Sequence, residues 1–368
     1  MLEVVLIASG VVVAVSGGLS ILLLVAERYL ANYGECRIDI NRGERDFTVK
    51  GGETLLMSLK NEGIFVPSAC GGRGTCAYCK VTILEGGGVV APTELPLLTD
   101  QEVRDNVRIS CQCKVRNDLK ISLPEALLSV QEYRGVVERI RDLTHDNKEV
   151  RIRLVEPDAI EFTPGQYIQL EAPPYEGSKE SVFRAYSISS PPDDAGHIEL
   201  IIRLVPDGIC TTWVFEHLAE GDEVTFTGPF GEFRLSGTDA EMFWIAGGSG
   251  MAPFWSLVRH MKAHGPQRKT TYFFGAVARR DMFLLDELRA LEKELNWFRF
   301  VPALSSPAEG DDWDGETGLI TEVVDRGVGG GEGKEGYLCG SPGMIDAAIK
   351  ALNAKGITEE RIFFDKFA

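Results

Sequence analysis

The segment Cys70-Gly-Gly-Arg-Gly-Thr-Cys76-Ala-Tyr-Cys79 sets three thiols at C-x5-C-x2-C spacing. Cys111 follows 32 positions after Cys79, in Ile109-Ser110-Cys111-Gln112-Cys113. Thiols this dense in a long chain with apolar segments favour a metal site over a disulfide framework. Four thiolates must converge on two irons from a loop with room to wrap a cluster. Gly71, Gly72 and Gly74 let such a loop take positive φ and turn its N–H groups toward the sulfides. A zinc site would show two separate C-x2–4-C knuckles, and only one pair here has that spacing. The spacing therefore predicts a [2Fe–2S] cluster on Cys70, Cys76, Cys79 and one of Cys111 or Cys113, which compete for the fourth position. Cys36, Cys210 and Cys339 stand alone.

The chain is long enough for two or three domains around that loop: it has 368 residues, 44% of them hydrophobic. Its 55 acidic against 38 basic residues give a formal charge of −17, which excludes a phosphate-backbone tracker and predicts no nucleic-acid partner. Residues 4–26 carry no charge. As a helix this run would reach about 34 Å, enough for a hydrocarbon core of ~30 Å. Only Glu3 precedes it, so the basic leader of a signal peptide is missing. The run predicts one transmembrane anchor. Arg28, Arg37 and Arg42 follow it, which places the bulk of the chain on the cytoplasmic side of the inner membrane. Ser9, Gly10, Ser16, Gly17, Gly18 and Ser20 permit close packing with other membrane helices.

Beyond the cysteines, strands are expected over 135–140, 149–155, 167–171, 198–204 and 223–227. Pro and Gly turns separate them, the pattern of a small antiparallel barrel. A buried strand over 241–246 then runs into Gly247-Gly248-Ser249-Gly250-Met251-Ala252-Pro253, a Gly-rich turn that lets a dinucleotide approach a helix N-terminus. Strands over 271–276, 298–304 and 337–340 alternate with a helix over 285–295 and with Ser341-Pro342, an N-cap followed by a first-turn proline. That alternation predicts a doubly wound parallel sheet. His260 and His264 lie i, i+4 on an amphipathic helix with no carboxylate in the local pattern, and they read as surface residues. Gly327–Gly336 is a Gly-rich loop without a phosphate-binding context.

Arg184-Ala185-Tyr186-Ser187 resembles the R-x-Y-S signature of the ferredoxin–NADP reductase superfamily. Pro164-Gly165-Gln166-Tyr167, Gly208-Ile209-Cys210-Thr211 and Gly228-Pro229-Phe230-Gly231 flank it in the expected order. The resemblance implies FAD, with Arg184 on the pyrophosphate, Tyr186 stacked on the ring and Ser187 at the N5 edge. Gly208, Ile209, Cys210 and Thr211 would serve as phosphate donors. For NADH it implies Gly247, Gly248, Gly250, Met251 and Pro253, with Cys339 and Gly340 beside the nicotinamide. It also implies that Asp365 relays protons and that Phe367 covers the flavin. Residues 36–125 resemble a ferredoxin domain with a distal Cys-Gln, which implies a β-grasp fold and selects Cys111 over Cys113.

Taken whole, the chain resembles the F-subunit family of the sodium-translocating NADH:quinone oxidoreductases. The implied layout is an anchor and linker (1–34), a [2Fe–2S] ferredoxin domain (35–129), an FAD-binding barrel (130–236) and an NADH-binding domain (237–368). Hydride would pass from NADH to FAD, and electrons singly to the cluster and on to other membrane subunits. The span carries no intramembrane ionisable residue, so sodium coupling would lie in those partners. NADH is expected over NADPH: Arg279 and Arg280 could meet a 2′-phosphate, but Asp281 adds local negative charge. A reductase feeding an oxygenase shares the three modules, but is normally soluble with C-x4-C-x2-C spacing. A non-catalytic anchoring subunit would not need intact cofactor motifs on all three.

Overall fold

The computed structural model describes residues 9–22, 33–310 and 312–367. Residues 9–22 are helical and exposed throughout. The expected span over 4–26 falls partly outside the described residues, and among those no helix is long and apolar enough to cross a membrane. By its contacts the chain forms two compact units, Met1–Val66 with Gly72–Ser129 and Pro67–Gly71 with Val130–Ala368.

The first unit is a five-stranded mixed sheet of order β2-β1-β5-β3-β4. Its strands are β1 (Glu35–Ile40), β2 (Arg45–Lys50), β3 (Lys80–Glu85), β4 (Val107–Ile109) and β5 (Leu119–Ser122). The pair β1–β5 is parallel and the rest are antiparallel. β1 alternates Cys36, Ile38 and Ile40 inward with exposed or half-buried partners, the period-2 signature of a sheet buried on one face. A short helix forms over Leu55–Asn61. Thr54 is its N-cap, with Oγ1 accepting from Met57 N at 3.3 Å, and Leu55, Leu56 and Leu59 are buried.

The second unit begins as a six-stranded antiparallel sheet of order β10-β7-β6-β11-β8-β9. These strands are β6 (Gln131–Asp142), β7 (Asn147–Glu156), β8 (Tyr167–Ala172), β9 (Val182–Ser187), β10 (His197–Arg203) and β11 (Glu223–Phe230). An antiparallel bridge from Ile188 to Leu200 joins the two edges, so the sheet curls into a barrel around Ile152, Ile168, Leu170, Ile198 and Phe226. Five strands fall where the alternation put them. β9, which carries the R-x-Y-S residues, was expected only as a motif.

A fully parallel sheet of order β15-β14-β13-β12-β16-β17 completes the unit. It contains β12 (Met242–Gly247), β13 (Thr270–Ala276), β14 (Phe298–Leu304), β15 (Glu316–Thr317), β16 (Glu335–Gly340) and β17 (Ile362–Lys366). From β12 the order runs through β13 to one side and β16 to the other, so the topological switch point lies between β12 and β16. Ser341 occupies the N-cap and Pro342 the first turn of the helix Pro342–Ala354, although Ser341 makes no side-chain capping bond. The helix Ile320–Gly327 ends where the Gly-rich segment begins.

Candidate cofactor sites

From Gly72 onward the cysteine loop belongs to the first unit, and it is held by its surroundings before any ligand is considered. Gly72 and Gly74 have φ of +84° and +72° and Ala77 of +58°, so the loop repeatedly turns left-handed. A Cβ on Gly74 would lie 2.9 Å from Cδ of Gln112. The positive φ favours glycine at 74, and the Gln112 amide rests on the space beside it, where its Nε2 donates to Sγ of Cys111 at 3.7 Å. Ser110 N donates to the Cys79 carbonyl at 2.8 Å, tying the two cysteine-bearing segments together. The Cys79 thiol lies against Cys111, whose hydrogen bond, with burial, pushes it far above an ordinary thiol. Cys113 is buried as well, and burial raises its thiol above the ordinary value. Cys70, Cys79 and Cys111 are buried, Cys76 is half-buried and none is in a disulfide. A set of cysteine thiols outside any disulfide, on a left-handed loop, fits an iron–sulfur cluster.

Glu94, which the sequence reading passed over, anchors the Cys111 turn. It is fully buried and receives Arg108 at 2.6 Å, Ile109 N at 2.9 Å and Ala91 N at 3.1 Å. The Ile109 carbonyl then accepts from Gln112 N at 2.8 Å and Cys113 N at 3.0 Å.

On the barrel, β9 pairs Arg184 with Leu170, Tyr186 with Ile168 and Ser187 with Tyr167. The strand period puts Arg184 and Tyr186 on one face; Ser187 ends the strand and is buried. The Tyr186 hydroxyl is buried without a hydrogen-bond partner, and burial, with the neighbouring Cys210, pushes it well above an ordinary phenol. Burial likewise pushes the Cys210 thiol up to about 11. Gly208 is the N-cap of the helix Ile209–Glu216, and Thr211 Oγ1 donates back to its carbonyl at 3.1 Å. The free hydroxyl of Tyr186 and this helix N-terminus fit a ligand with an aromatic body and a phosphate tail. Thr211 differs from expectation in that its hydroxyl is engaged within its own turn; the N–H groups of Ile209, Cys210 and Thr211 sit in the first turn, where helical N–H groups lack intrahelical acceptors.

At the switch point, Gly247, Gly248 and Gly250 lead from β12 into the helix Met251–His264. A Cβ on Gly250 would sit 2.8 Å from the carbonyl carbon of Cys339 and 3.1 Å from Gly340 N. The two expected nicotinamide segments therefore touch backbone to backbone, a closeness only glycine allows, and this cradle fits a dinucleotide. Met251 and Pro253 are in the first turn but buried, as is the Cys339 side chain, which joins the aromatic core of Trp244, Phe254 and Tyr272. Burial, with Asp365, pushes the Cys339 thiol well above its ordinary value, so it is not a ready nucleophile. Asp365 is the register partner of Cys339, and Phe367 N donates to the Gly340 carbonyl at 2.9 Å. The chain's end thus lies beside the Cys339–Gly340 segment. At the tip of β13, Asp281 accepts from Ala278 N at 2.9 Å while Arg280 is exposed.

One reading is corrected. His260 and His264 do have a carboxylate, Asp193, delivered by the barrel loop after β9 rather than by their own helix.

A β-grasp-type sheet with a cysteine loop, an antiparallel barrel with an R-x-Y-S strand and a doubly wound sheet with a Gly-rich switch point define an iron–sulfur flavoprotein reductase that uses a nicotinamide nucleotide. The matching family models agree module by module: the 2Fe-2S iron-sulfur cluster binding domain over 38–116, the oxidoreductase FAD-binding domain over 134–235 and the oxidoreductase NAD-binding domain over 244–350. Its cofactors are FAD, a [2Fe–2S] cluster and NADH. The F subunit of the Na(+)-translocating NADH-quinone reductase of Neisseria meningitidis is 36% identical over 95% of this chain and 96% of its own, and that of Yersinia pseudotuberculosis is 36% identical at the same coverage. The chain belongs to this F-subunit family. Among solved structures, the Amycolatopsis cytochrome P450 reductase GcoB is similar at a TM-score of 0.71 and 29% identity, over 90% of this chain and 98% of its own. A ferredoxin reductase in carbazole 1,9a-dioxygenase is similar at 0.70 and 28%, over 91% and 99%.

Proposed function

We propose that this chain is the electron-input subunit of a membrane-bound, sodium-translocating NADH:quinone oxidoreductase, delivering electrons from NADH through FAD and the [2Fe–2S] cluster to partner subunits. The observation that carries this is similarity to F-subunit relatives along 95% of the chain. Residues 1–34 hold it to the cytoplasmic face of the inner membrane, and residues 35–129, 130–236 and 237–368 carry cluster, FAD and NADH in turn.

FAD, when bound, supplies the change from a two-electron donor to one-electron acceptors. The chain's own residues position and shield. Arg184 clamps the pyrophosphate, with the N–H groups of Gly208, Ile209, Cys210 and Thr211 on phosphate; Tyr186 stacks on the ring and Ser187 donates at its N5 edge. Gly247, Gly248 and Gly250 admit the nucleotide, with Met251 and Pro253 fixing the first helical turn beneath it. Cys339 and Gly340 border the nicotinamide through their backbone. Asp365 would relay a proton beside Cys339, and Phe367 would cover the ring. Cys70, Cys76, Cys79 and Cys111 ligate the iron.

The two solved relatives are a cytochrome P450 reductase and a ferredoxin reductase in a dioxygenase, which favours a second reading in which the acceptor is a soluble oxygenase partner. Purified full-length protein in detergent should reduce ferricyanide with NADH, and native membranes should yield it together with other subunits. Removing residues 1–30 should release a soluble, still active protein. If native full-length protein is recovered from the soluble fraction with an oxygenase, the membrane assignment fails.

A further inference from the structure

The helix Met251–His264 starts at the dinucleotide turn and stops at Gly265, φ +82°. Its last turn presents His260 and His264, their ring centroids 5.1 Å apart. Residues 191–194, which follow Ser189 and Ser190 of the barrel, deliver Asp193 against both. Oδ1 contacts Nε2 of His264, and Oδ2 lies 3.9 Å from Nδ1 of His260. One nitrogen or oxygen from each residue falls within 4.8 Å of the other two. Nδ1 of His260 is buried and has no hydrogen-bond partner.

We infer that Asp193, His260 and His264 form a binding site for a zinc-type divalent transition-metal ion, completed by water. Imidazole nitrogen and carboxylate oxygen are the donors that zinc and its neighbours take, and three protein ligands plus water is a common open set. Bonds of about 2.0–2.1 Å at tetrahedral angles place ligand atoms about 3.4 Å apart, so small side-chain rotations close the site. Magnesium and calcium seek all-oxygen shells and fit poorly. The i, i+4 histidines share one helix face, so only the aspartate has to be brought in by tertiary structure.

The site spans two parts of one unit, because Asp193 belongs to the flavin barrel and the histidines to the helix that opens at Gly250. Neighbouring contacts already link these parts: Ser256 Oγ donates to the Ser190 carbonyl at 2.6 Å and Arg259 pairs with Glu199 at 2.8 Å. A metal here adds a stronger tie at the same seam and stiffens the joint between the FAD and NADH sites.

The test uses the full chain loaded with flavin and cluster, with Zn²⁺ alone as probe, titrated against a competing chromogenic indicator at neutral pH. Wild type should bind one Zn²⁺ per chain with micromolar affinity. Asp193→Asn should weaken this by at least about 10-fold and the double change His260→Gln, His264→Gln should abolish it. Zn²⁺ should raise the temperature of flavin release in wild type alone. Unaltered flavin and cluster absorbance certifies that the variants are folded, as expected for side chains that are one-third to one-half exposed. If wild type binds no Zn²⁺ in this range, the cluster is an ordinary ion pair and the inference falls. It falls equally if both variants bind as wild type does, since the ion then sits elsewhere.

Discussion

Replacing Glu94 by alanine should dismantle the cysteine-bearing unit while leaving both dinucleotide sites intact. Its side chain is 0% exposed and that of Arg108 6%, with the closest approach at 2.6 Å. Burial alone would raise the Glu94 carboxyl; the Arg108 hydrogen bonds, then the Ile109 and Ala91 amides, outweigh it and hold it below the ordinary glutamate range. Alanine leaves the Arg108 guanidinium charged, buried and unpaired, a loss of about 3–5 kcal/mol. In a unit of this size each kcal/mol moves the midpoint about 4–8 °C, so cluster bleaching should begin about 12 °C or more below wild type. Heating while following cluster absorbance and flavin release separately reads this directly, and only the first should move. Because the damage is a stranded charge, the double change Glu94→Leu, Arg108→Met should recover most of the loss. The pH dependence has a fixed sign. A depressed carboxyl contributes stability above its unfolded value of about 4.3, and loses it as pH falls through the lower folded value. Wild-type cluster retention should therefore hold from neutrality down to about pH 5 and weaken progressively as pH falls below about 4.3. A Glu94→Ala shift under about 2 °C, or a double variant as unstable as the two single changes combined, would refute the reasoning.

Cys111→Ala should lose the cluster's visible spectrum, while Cys113→Ala keeps it and costs only the packing of a small buried group, about 1 kcal/mol; the reverse result would reassign the fourth ligand. Gly250→Ala should lower kcat/KM for NADH at least about 10-fold while flavin stays bound, since the added Cβ forces the Gly-rich turn away from β16; unchanged kinetics would show that their contact is not needed. NADH should exceed NADPH in kcat/KM by on the order of 10-fold or more, with Asp281→Ala narrowing the gap; equal use of NADPH would remove the carboxylate from nucleotide choice.

Much of this protein is local and therefore written in its order of residues. Cysteine spacing, strand alternation and the Gly-rich turn each depend on neighbours a few positions away, and they foretold the [2Fe–2S] loop, five barrel strands and the parallel sheet. What the tertiary structure decided is always a meeting of distant residues. Cys79 and Cys111 are 32 positions apart, and only the folded chain lays one thiol against the other. The need for glycine at 250 comes from the Cys339 carbonyl, 89 positions away, and the carboxylate for His260 and His264 comes from a loop some 70 positions earlier. Periodicity encodes which face of an element is apolar, whereas it says nothing about which side chain another element will lay against that face. That is fixed only when the burial of all the faces at once selects a single packing.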